Sequence, residues 1–558
     1  MSLTNSMSFQ NKRVLKYQAN KGVEGEIMSE ILTLANIEAL EENLVKQGVS
    51  EEELMKTSGT HVALVATEEF GGGPYLVLCG NGNNGGDGWV TADELGQRGY
   101  EVVIVSALTP EEITSEPARK MAIHAVEVGL PIYVNPDLET FERLIQQSEV
   151  IIDAVFGTGF TGERIDGVFG TWIKFINEQY FGKILSIDVP SGLHASRGVL
   201  STPHIKADIT VTMFALKPGF LTSVAREALG ELVIADIAPQ VSREIIQRSF
   251  ARQISAEKLL QYIPPFNFDD DKYSRGSVLI IGGSQLYAGA AILSAKAAER
   301  TGAGYTTLVV PSAAAHQARA HLSSIPVMAF PSSSDGGFDK GCAEYIKKLA
   351  QGVDVVVCGP GMGKGEGAQE IVRALLEEDC PLVLDADALN ILALLQEDTI
   401  LKSPYILRRH APLILTPHAK ELGRLTGEPG HKDLLTRLKG AKDLAWSVGS
   451  DDFCVLTKGD RTAAVSIDAS LLPDYSNPSL SKAGTGDVLA GCLGALLAQH
   501  HAHNTDVTVE KIAALASYLH ARAADRAVSL YGSRGINALD VCDALGIIQD
   551  VLLEVDER

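Results

Sequence analysis

The chain has 558 residues, enough for two to four domains at about 150 residues each. Hydrophobic residues make up 45% and charged residues 21%, as in globular proteins, and the net charge of −22 argues against nucleic acids and anionic membranes as partners. The cysteines are scattered without a CxxC pair, which is typical of reduced thiols, and the N-terminal segment MSLTNSMSFQNKR lacks an apolar targeting run. We therefore expect a cytoplasmic protein without a membrane span.

Short apolar segments alternate with helical patterns along the whole chain, which predicts parallel sheets covered by helices. In the first half the expected strands are 75–79, 102–106, 150–154, 184–189, 209–214 and 232–237. In the second half they are 277–282, 305–310, 353–358, 382–385, 413–416 and 453–457. The polar stretch QYIPPFNFDDDKYSRG separates the two series. The pattern predicts an α/β fold with two doubly wound domains, residues 1–255 and 256–558.

The segment GNGNNGGDG at residues 80–88 directly follows the first of these strands. It satisfies the dinucleotide fingerprint GxGxxG, but the next strand ends in Ser106-Ala107 instead of the acid that binds a ribose. Glycines let a backbone approach a ligand closely, and asparagines add hydrogen-bonding groups while tolerating left-handed conformations. A loop of this composition can bind a polar ring, a phosphate or a hard cation. The alternative is a tight surface turn.

Two other expected strands lead into an aspartate. Asp153 precedes AVFGTGFTGE, and Asp188 precedes VPSGLH. Because open parallel sheets bind ligands beyond the carboxyl ends of their strands, we expect Asn84, Asp153 and Asp188 to meet in one crevice. Such oxygen ligands suit a hard cation, and a carboxylate held among glycines can act as an acid or a base. The alternative for each aspartate alone is a cap or a turn.

GNGNNGGDG, DAVFGTGFTGE, SIDVPSGL and KPG together resemble the NAD(P)H-hydrate epimerase domain, which is Rossmann-like. The resemblance implies that Asp188 is the catalytic acid/base and that two loops bind the hydrated nicotinamide nucleotide. The implied substrate contacts are Asn83, Asn84, Gly85, Gly86, Asp87, Gly157, Thr158, Gly159, Phe160, Thr161, Gly162, Glu163 and Asp188. The implied ligands of a potassium ion are Asn84, Asp153 and Ser191.

A second glycine-rich segment, NPSLSKAGTGDVLAG, occupies residues 477–491. Apolar residues at 488, 489, 492, 493, 496 and 497 form a stripe that predicts a buried helix starting near Asp487. A glycine turn that leads into a helix binds anions, because free N–H groups and the helix dipole point at the ligand. It can stabilise charge during phosphoryl transfer, with Asp487 taking the proton of an attacking hydroxyl. The alternative is an aspartate that only caps the helix.

GGSQLYAGA, GPGMG, DADALN, TPHAKELGRL, KGDRT and AGTGDVLAG together resemble the ADP/ATP-dependent NAD(P)H-hydrate dehydratase, which is ribokinase-like. KGDRT adds cationic groups suited to phosphates. The resemblance implies that Asp487 activates the C6 hydroxyl of the hydrate for attack on a phosphoryl group. The implied hydrate contacts are Ala290, Gly361 or Gly363, His418 and Asp487. The implied adenine-nucleotide contacts are Lys458, Gly459, Asp460, Arg461, Thr462 and Gly486.

The order of the two halves matches the bifunctional NAD(P)H-hydrate repair enzymes. This resemblance implies epimerisation of the R and S hydrates of NADH and NADPH (NADHX and NADPHX) by the first domain and dehydration of the S hydrate by the second. ADP or ATP with magnesium would be the co-substrate, giving AMP and phosphate if ADP is the donor. The sequence leaves open the donor, the magnesium ligands and a homo-oligomer. The rival hypothesis is a vitamin or sugar kinase with a non-catalytic binding or scaffolding domain.

Overall fold

The structure, a computed structural model, describes residues 16–17, 28–238, 242–395, 409–428, 430 and 433–556. The chain forms two compact units. The first comprises Met1–Gly25 and Ser29–Phe250, and the second comprises Glu26–Met28 and Ala251–Arg558. The N-terminal segment that lacks a targeting run lies outside the described residues. The polar stretch 261–276 lies wholly within the second unit.

Strands and helices alternate from the first described residues to residue 247. In chain order they are β1 (Lys16–Tyr17), β2 (Met28–Ile31), α1 (Leu34–Lys46), α2 (Glu51–Phe70), β3 (Tyr75–Cys79), α3 (Asn83–Gln97), β4 (Val102–Ser106), α4 (Glu116–Glu127), β5 (Ile132–Val134), α5 (Leu138–Gln147), β6 (Val150–Ala154), α6 (Gly167–Gln179), β7 (Lys183–Ile187), β8 (Ile209–Met213), α7 (Arg226–Leu229), β9 (Glu231–Ala235) and α8 (Ser242–Gln247). Helices α1 to α4 pack on one face of the sheet, and α5 and α6 pack on the other.

Strand β1 and strands β3 to β9 form a parallel sheet in the order β1-β9-β8-β7-β6-β3-β4-β5. The chain winds outward from β3 to β5 on one side and from β6 to β9 on the other. The direction of winding therefore reverses between β3 and β6. Doubly wound sheets bind ligands at such a switch point, because the loops that follow the two strands part there and leave a crevice.

Helix α3 begins inside GNGNNGGDG, where the sequence predicts a loop. Glycine costs a helix about 1 kcal/mol per residue, but here close packing requires it. A Cβ added to Gly85 would lie 2.0 Å from the carbonyl oxygen of Gly80, and one added to Gly86 would lie 2.5 Å from the Met55 side chain. Tertiary packing therefore overrides local propensity. The N-cap residue of the helix is Gly82, and no side chain caps the first N–H groups of α3.

The second unit continues the alternation. In chain order its elements are β10 (Ala251–Ile254), α9 (Ala256–Leu260), β11 (Ser277–Ile281), α10 (Ala288–Thr301), β12 (Tyr305–Pro311), α11 (Ser312–His321), β13 (Val327–Phe330), α12 (Ala343–Ala350), β14 (Val355–Cys358), α13 (Glu366–Glu377), β15 (Leu382–Leu384), α14 (Asp387–Leu394), β16 (Leu413–Leu415), α15 (Ala419–Thr426), α16 (Leu434–Val448), β17 (Phe453–Thr457), β18 (Ala463–Val465), β19 (Ser470–Pro473), α17 (Thr485–Ala502), α18 (Val509–Tyr531) and α19 (Ala538–Asp556).

The described strands of the second unit follow the order β13-β12-β11-β14-β15-β16-β17-β18-β19-β10. They are parallel from β13 to β17, antiparallel from β17 to β19, and parallel again between β19 and β10. Here the winding reverses between β11 and β14. Helix α17 contacts both of these strands and helices α10, α18 and α19. It is therefore buried all round from Val488 to Ala498, not only along the predicted stripe.

The predicted α/β class is confirmed, and the twelve expected strands all form, most with ends shifted by one or two residues. The expected strand 184–189 is too long, because Asp188 has a φ of 61° and leaves the strand conformation. Strands β5 and β13 were missed because they are short and partly exposed. In the described part of the chain, no helix combines the length and hydropathy of a membrane span.

The packing of α10 against α17 depends on Gly491, because a Cβ there would lie 2.0 Å from the carbonyl oxygen of Ser294. We expect Gly491→Ala to lower the free energy of unfolding of the second unit by about 1–3 kcal/mol, since the two backbones must separate. Calorimetry on the full chain measures this loss. Gly289→Ala in α10 is the matched control, since its Cβ meets no atom within 4 Å. Equal transition midpoints for the two variants would contradict this packing.

Candidate active sites

The first unit has a cavity of about 1120 Å³ at the switch point. The loops that follow β3 and β6 touch there: the Gly80 N–H donates to the Ala154 carbonyl oxygen over 2.9 Å, and a Cβ on Gly80 would lie 1.9 Å from the Val155 carbonyl oxygen. Predicted substrate residues that line the cavity are Asn83, Asn84, Asp87, Gly157, Thr158, Gly159, Phe160, Thr161, Gly162 and Asp188. Of the other three, Gly85 and Gly86 are buried in α3 and Glu163 is exposed.

Asp188 faces this cavity from the end of β7 and is paired with a buried lysine. Its Oδ1 accepts hydrogen bonds from Lys217 Nζ over 2.5 Å and from Thr212 Oγ1 and the Met213 N–H, each over 3.3 Å. The Lys217 side chain is 1% exposed and also donates to Thr212 Oγ1 over 2.6 Å. The Lys217 ammonium is therefore the direct counter-charge of the Asp188 carboxylate.

Two of the other carboxyl groups that line the same cavity have a raised pKa. Burial raises the pKa of Asp87 well above its ordinary value, and the charge of Asp188 raises it further. Desolvation by the surrounding protein, followed by the charge of Asp188, raises the pKa of Glu41 to about 7, although Lys217 acts in the opposite direction. The cavity therefore combines a carboxylate paired with a lysine and carboxyl groups that retain their protons at unusually high pH.

Asp153 lies within β6, inside the expected strand 150–154, and its side chain is fully buried. Its carboxylate accepts hydrogen bonds from the hydroxyl and the N–H of Ser191, over 2.5 and 2.8 Å, and from Ser186 Oγ over 2.8 Å. Ser191 Oγ in turn accepts from the Phe156 N–H over 2.9 Å. The burial of Asp153 raises its pKa, whereas these hydrogen bonds lower it. Asp153 thus ties the loop after β7 to the loop after β6.

The expectation that Asn84, Asp153 and Asp188 share one crevice is met by two of the three, because the cavity is lined by Asn84 and Asp188. Asn84 lies against Gly157, whose added Cβ would be 3.1 Å from Asn84 Oδ1. The Nδ2 of Asn84 is buried and has no hydrogen-bond partner among the described residues. A buried amide without a partner is costly, so a ligand there would stabilise it.

In the second unit the loops after β11 and β14 also touch at the switch point. The Gly283 N–H donates to the Pro360 carbonyl oxygen over 2.8 Å, and a Cβ on Gly282 would lie 2.4 Å from the same oxygen. Gly361 lies next to Ala290, since its added Cβ would be 3.0 Å from the Ala290 Cβ. The structure therefore brings together two of the predicted hydrate contacts, one from helix α10 and one from the loop after β14.

A charged cluster adjoins the N-terminus of α17. Lys458 Nζ donates to Asp385 Oδ1 over 2.5 Å, and Thr416 Oγ1 donates to the same oxygen over 2.6 Å. The side chains of Lys458 and Asp385 are 18% and 2% exposed. A Cβ on Gly486 would lie 3.5 Å from Lys458 Nζ, which places the ammonium at the first turn of α17.

Asp487 is the partly buried acid of this cluster. Burial raises its pKa to about 7, with a further contribution from the charge of Asp385, while Lys458 acts in the opposite direction. Glu421 is buried nearby, and its burial likewise raises its pKa to about 7. Asp487 can therefore exchange a proton near neutral pH. It is not the helix cap, since the N-cap residue is Gly484 and no side-chain hydrogen bond caps it.

The remaining predicted contacts surround this cluster. His418 caps α15 through its Nδ1, and its Nε2 lies 3.2 Å from Glu421 Oε1. The Gly363 N–H donates to Asp387 Oδ2 over 2.9 Å. Arg461, in the KGDRT segment, is buried and donates to the Pro473 carbonyl oxygen over 2.9 Å.

The cations of KGDRT therefore have protein partners. Asp460 accepts from Arg437 Nη2 over 2.7 Å, and Lys458 is paired with Asp385. Gly459 lies against the Arg437 guanidinium. Thr462 directly precedes β18.

Four ionisable side chains at the two sites were given no role by the sequence analysis: Glu41, Lys217, Asp385 and Glu421. Three of them lie in motifs that carried the family resemblance, namely KPG, DADALN and TPHAKELGRL, but the resemblance implied no role for these residues. Glu41 carries no such signal, because it lies in the charged run EALEENL of an ordinary amphipathic helix.

Comparison with known proteins covers both units. Residues 278–546 match the family described as NAD(P)H-hydrate dehydratase, and residues 51–219 match the family described as YjeF-related protein N-terminus. The bifunctional NAD(P)H-hydrate repair enzyme Nnr of Salinibacter ruber is 31% identical over 92% of this chain and 95% of its own. The enzyme of the same name from Thermanaerovibrio acidaminovorans is 33% identical over 90% of this chain and 95% of its own.

Among solved structures, the ADP/ATP-dependent NAD(P)H-hydrate dehydratase from Bacillus subtilis, co-crystallised with ATP and Mg²⁺, is 26% identical. The match covers 53% of this chain and 97% of that chain, with a TM-score of 0.42.

The buried Asp385–Lys458 ion pair contributes to the stability of the second unit. We expect Asp385→Asn to lower the free energy of unfolding of this unit by about 3–5 kcal/mol, because the Lys458 ammonium loses its counter-charge inside the protein. Thermal unfolding measures the loss. The control is Glu366→Gln, which removes the partner of the exposed Lys340 and should leave the midpoint unchanged. An equally small effect of both changes would show that the Asp385–Lys458 pair is solvated.

Proposed function

The chain belongs to the family of bifunctional NAD(P)H-hydrate repair enzymes, and we propose that each of its two sites performs one of the two reactions. The protein repairs hydrated NADH and NADPH, and relatives that match it over nine tenths of its length bear this function in their names. In the proposed division, the first unit interconverts the R and S hydrates. The second unit dehydrates the S hydrate at the expense of an adenine nucleotide.

The carboxylate of Asp188 is the proposed acid/base of epimerisation. Its pairing with Lys217 over 2.5 Å is the single observation that carries this role, because a buried ammonium keeps a charged carboxylate at the edge of the cavity. The cavity is large enough for a nucleotide-sized ligand. The proposed contacts are the residues from Asn83 to Asp87 and from Gly157 to Glu163, most of which line it.

Potassium is the proposed ion of the first unit, with Asn84, Asp153 and Ser191 as its ligands. The chemistry of this set fits a hard cation, since it offers carboxylate, hydroxyl and amide oxygens. The Asn84 amide, whose buried Nδ2 lacks a partner, can present its oxygen at the same place by a half-turn of the amide. A bound cation would supply positive charge beside the substrate phosphates and fix the loops that Asp153 joins.

Asp487 is the proposed base of dehydration. It takes the proton of the C6 hydroxyl, whose oxygen attacks the terminal phosphoryl group of the nucleotide and displaces AMP from ADP, or ADP from ATP. The C6–O bond then breaks with its electron pair leaving on phosphate, and loss of a proton from C5 restores the C5=C6 double bond. The uncapped N–H groups at the start of α17 stabilise the charge that develops on the phosphoryl oxygens. Ala290, Gly361, Gly363 and His418 are the proposed hydrate contacts.

The nucleotide is proposed to lie along residues 458–462 and Gly486. Because Arg461 and Asp460 have protein partners, the backbone of this segment is the part that can contact the nucleotide. Lys458 lies at Gly486 and can hold a phosphoryl oxygen while it remains paired with Asp385. Magnesium bound with the nucleotide would neutralise phosphate charge. ADP and ATP fit this arrangement equally.

The rival hypothesis, a vitamin or sugar kinase beside a scaffolding domain, is disfavoured because the relatives that match both halves are repair enzymes. A cytoplasmic location, the absence of nucleic-acid and membrane partners, and the oligomeric state remain predictions from composition and charge.

Asp487→Asn should abolish dehydration while epimerisation continues, because the amide cannot accept the hydroxyl proton. The assay supplies hydrated NADH, nucleotide and magnesium. It follows the return of dihydronicotinamide absorbance and, by chromatography, the ratio of epimers. Asp188→Asn should show the reverse pattern. Loss of both activities in a folded single variant would contradict the division of labour.

The pKa of about 7 for Asp487 predicts the pH dependence of dehydration. The base must be ionised, so kcat/KM should rise about tenfold per pH unit below pH 7 and level off above it. The sign follows from the raised pKa: below it the carboxyl is protonated and inactive. A profile that is flat from pH 5.5 to 8 would exclude Asp487 as the base.

A further inference from the structure

Asp188 alone does not account for epimerisation in the first unit, because the reaction involves both faces of the nicotinamide ring. The two hydrates differ in the face of the ring that carries the C6 hydroxyl. Inversion at C6 by loss and return of water removes the hydroxyl from one face and restores it on the other. A group at the end of β7 approaches the ring from one direction, so a second proton-transfer group from another element is required for the other face.

Helix α1 supplies such a group. Glu38, Glu41, Glu42 and Val45 line the cavity at the spacing of one helix face. The opposite side of the helix holds it in place through the buried residues Leu40 and Leu44. The position of these carboxyl groups is thus fixed by the core of the unit.

We propose that Glu41 is the second proton-transfer residue of the epimerase site, acting on the ring face that Asp188 does not reach. The inference rests on the proposed role of Asp188. Glu41 lines the same cavity as Asp188 and Lys217, and desolvation, followed by the charge of Asp188, raises its pKa to about 7. The charged and titratable groups that face it are Glu38 on its own helix, Glu51 on α2, Asp87 on α3, Asp188 after β7 and Lys217 after β8.

The step balances with one proton and one water. Protonated Glu41 gives its proton to the C6 hydroxyl, the C6–O bond breaks with its electron pair leaving as water, and the N1 lone pair forms a C6=N1 double bond. A water molecule then attacks C6 from the other face, its electron pair forms the new C6–O bond as the C6=N1 pair returns to N1, and Asp188 takes the released proton. In the reverse direction Asp188 is the acid and Glu41 is the base.

The test uses the full chain without nucleotide, with one pure hydrate as substrate and chromatography of the epimers as the readout. Glu41→Gln should lower kcat by about 100-fold or more with little change in KM. The wild-type rate should fall above pH 7, where Glu41 loses its proton, and this falling limb should be absent in Glu41→Gln. Glu41→Asp should retain the limb and part of the rate.

Glu139→Gln, at an exposed position in the first turn of α5, is the matched control and should behave as wild type. Circular dichroism and thermal unfolding of the full chain show that the first unit of each variant is folded. Wild-type kcat and the same falling limb in Glu41→Gln would overturn the inference, as would a loss confined to KM. Failure of the proposed function has a different signature: Asp188→Asn would then equilibrate the epimers at the wild-type rate.

Discussion

At the centre of each sheet two neighbouring loops meet backbone to backbone, and this contact is possible only where one of them lacks a side chain. Gly80 meets Val155 in the first unit, and Gly282 meets Pro360 in the second. Because the chain winds in opposite directions from these points, the loops part immediately beyond the contact. Each crevice therefore has a floor of closely packed backbone, and the proposed acids and bases come from the elements around it.

The two crevices use a buried lysine in different ways. In the first, Lys217 is bonded directly to Asp188, the proposed catalytic group, and keeps its charge at the cavity edge. In the second, Lys458 is bonded to Asp385 instead, and burial, with a further contribution from the charge of Asp385, raises the pKa of Asp487 to about 7. The two proposed proton-transfer groups thus differ in their surroundings, because a lysine is bonded directly to Asp188 but only to the neighbour of Asp487.

Much of this arrangement could be predicted from the sequence, because apolar strands followed by glycine-rich segments specify a doubly wound sheet and the location of its crevice. The helical start of GNGNNGGDG could not, since its glycines form a helix only through contacts with Met55 and the Gly80 carbonyl. Nor could the partners of Lys458 and Arg461, which are set by tertiary contacts with residues distant in sequence. A glutamate such as Glu41 has no sequence signal at all, because its role depends on what faces its helix.

The central claim is that the two reactions occur at separate sites that need not act in the same molecule. It is tested most directly by mixing Asp188→Asn and Asp487→Asn proteins and supplying an equimolar mixture of R and S hydrates with nucleotide and magnesium. Complete and rapid return of the dihydronicotinamide absorbance is predicted, since one variant supplies epimerisation and the other dehydration. Recovery that stops where Asp188→Asn alone stops would contradict the account.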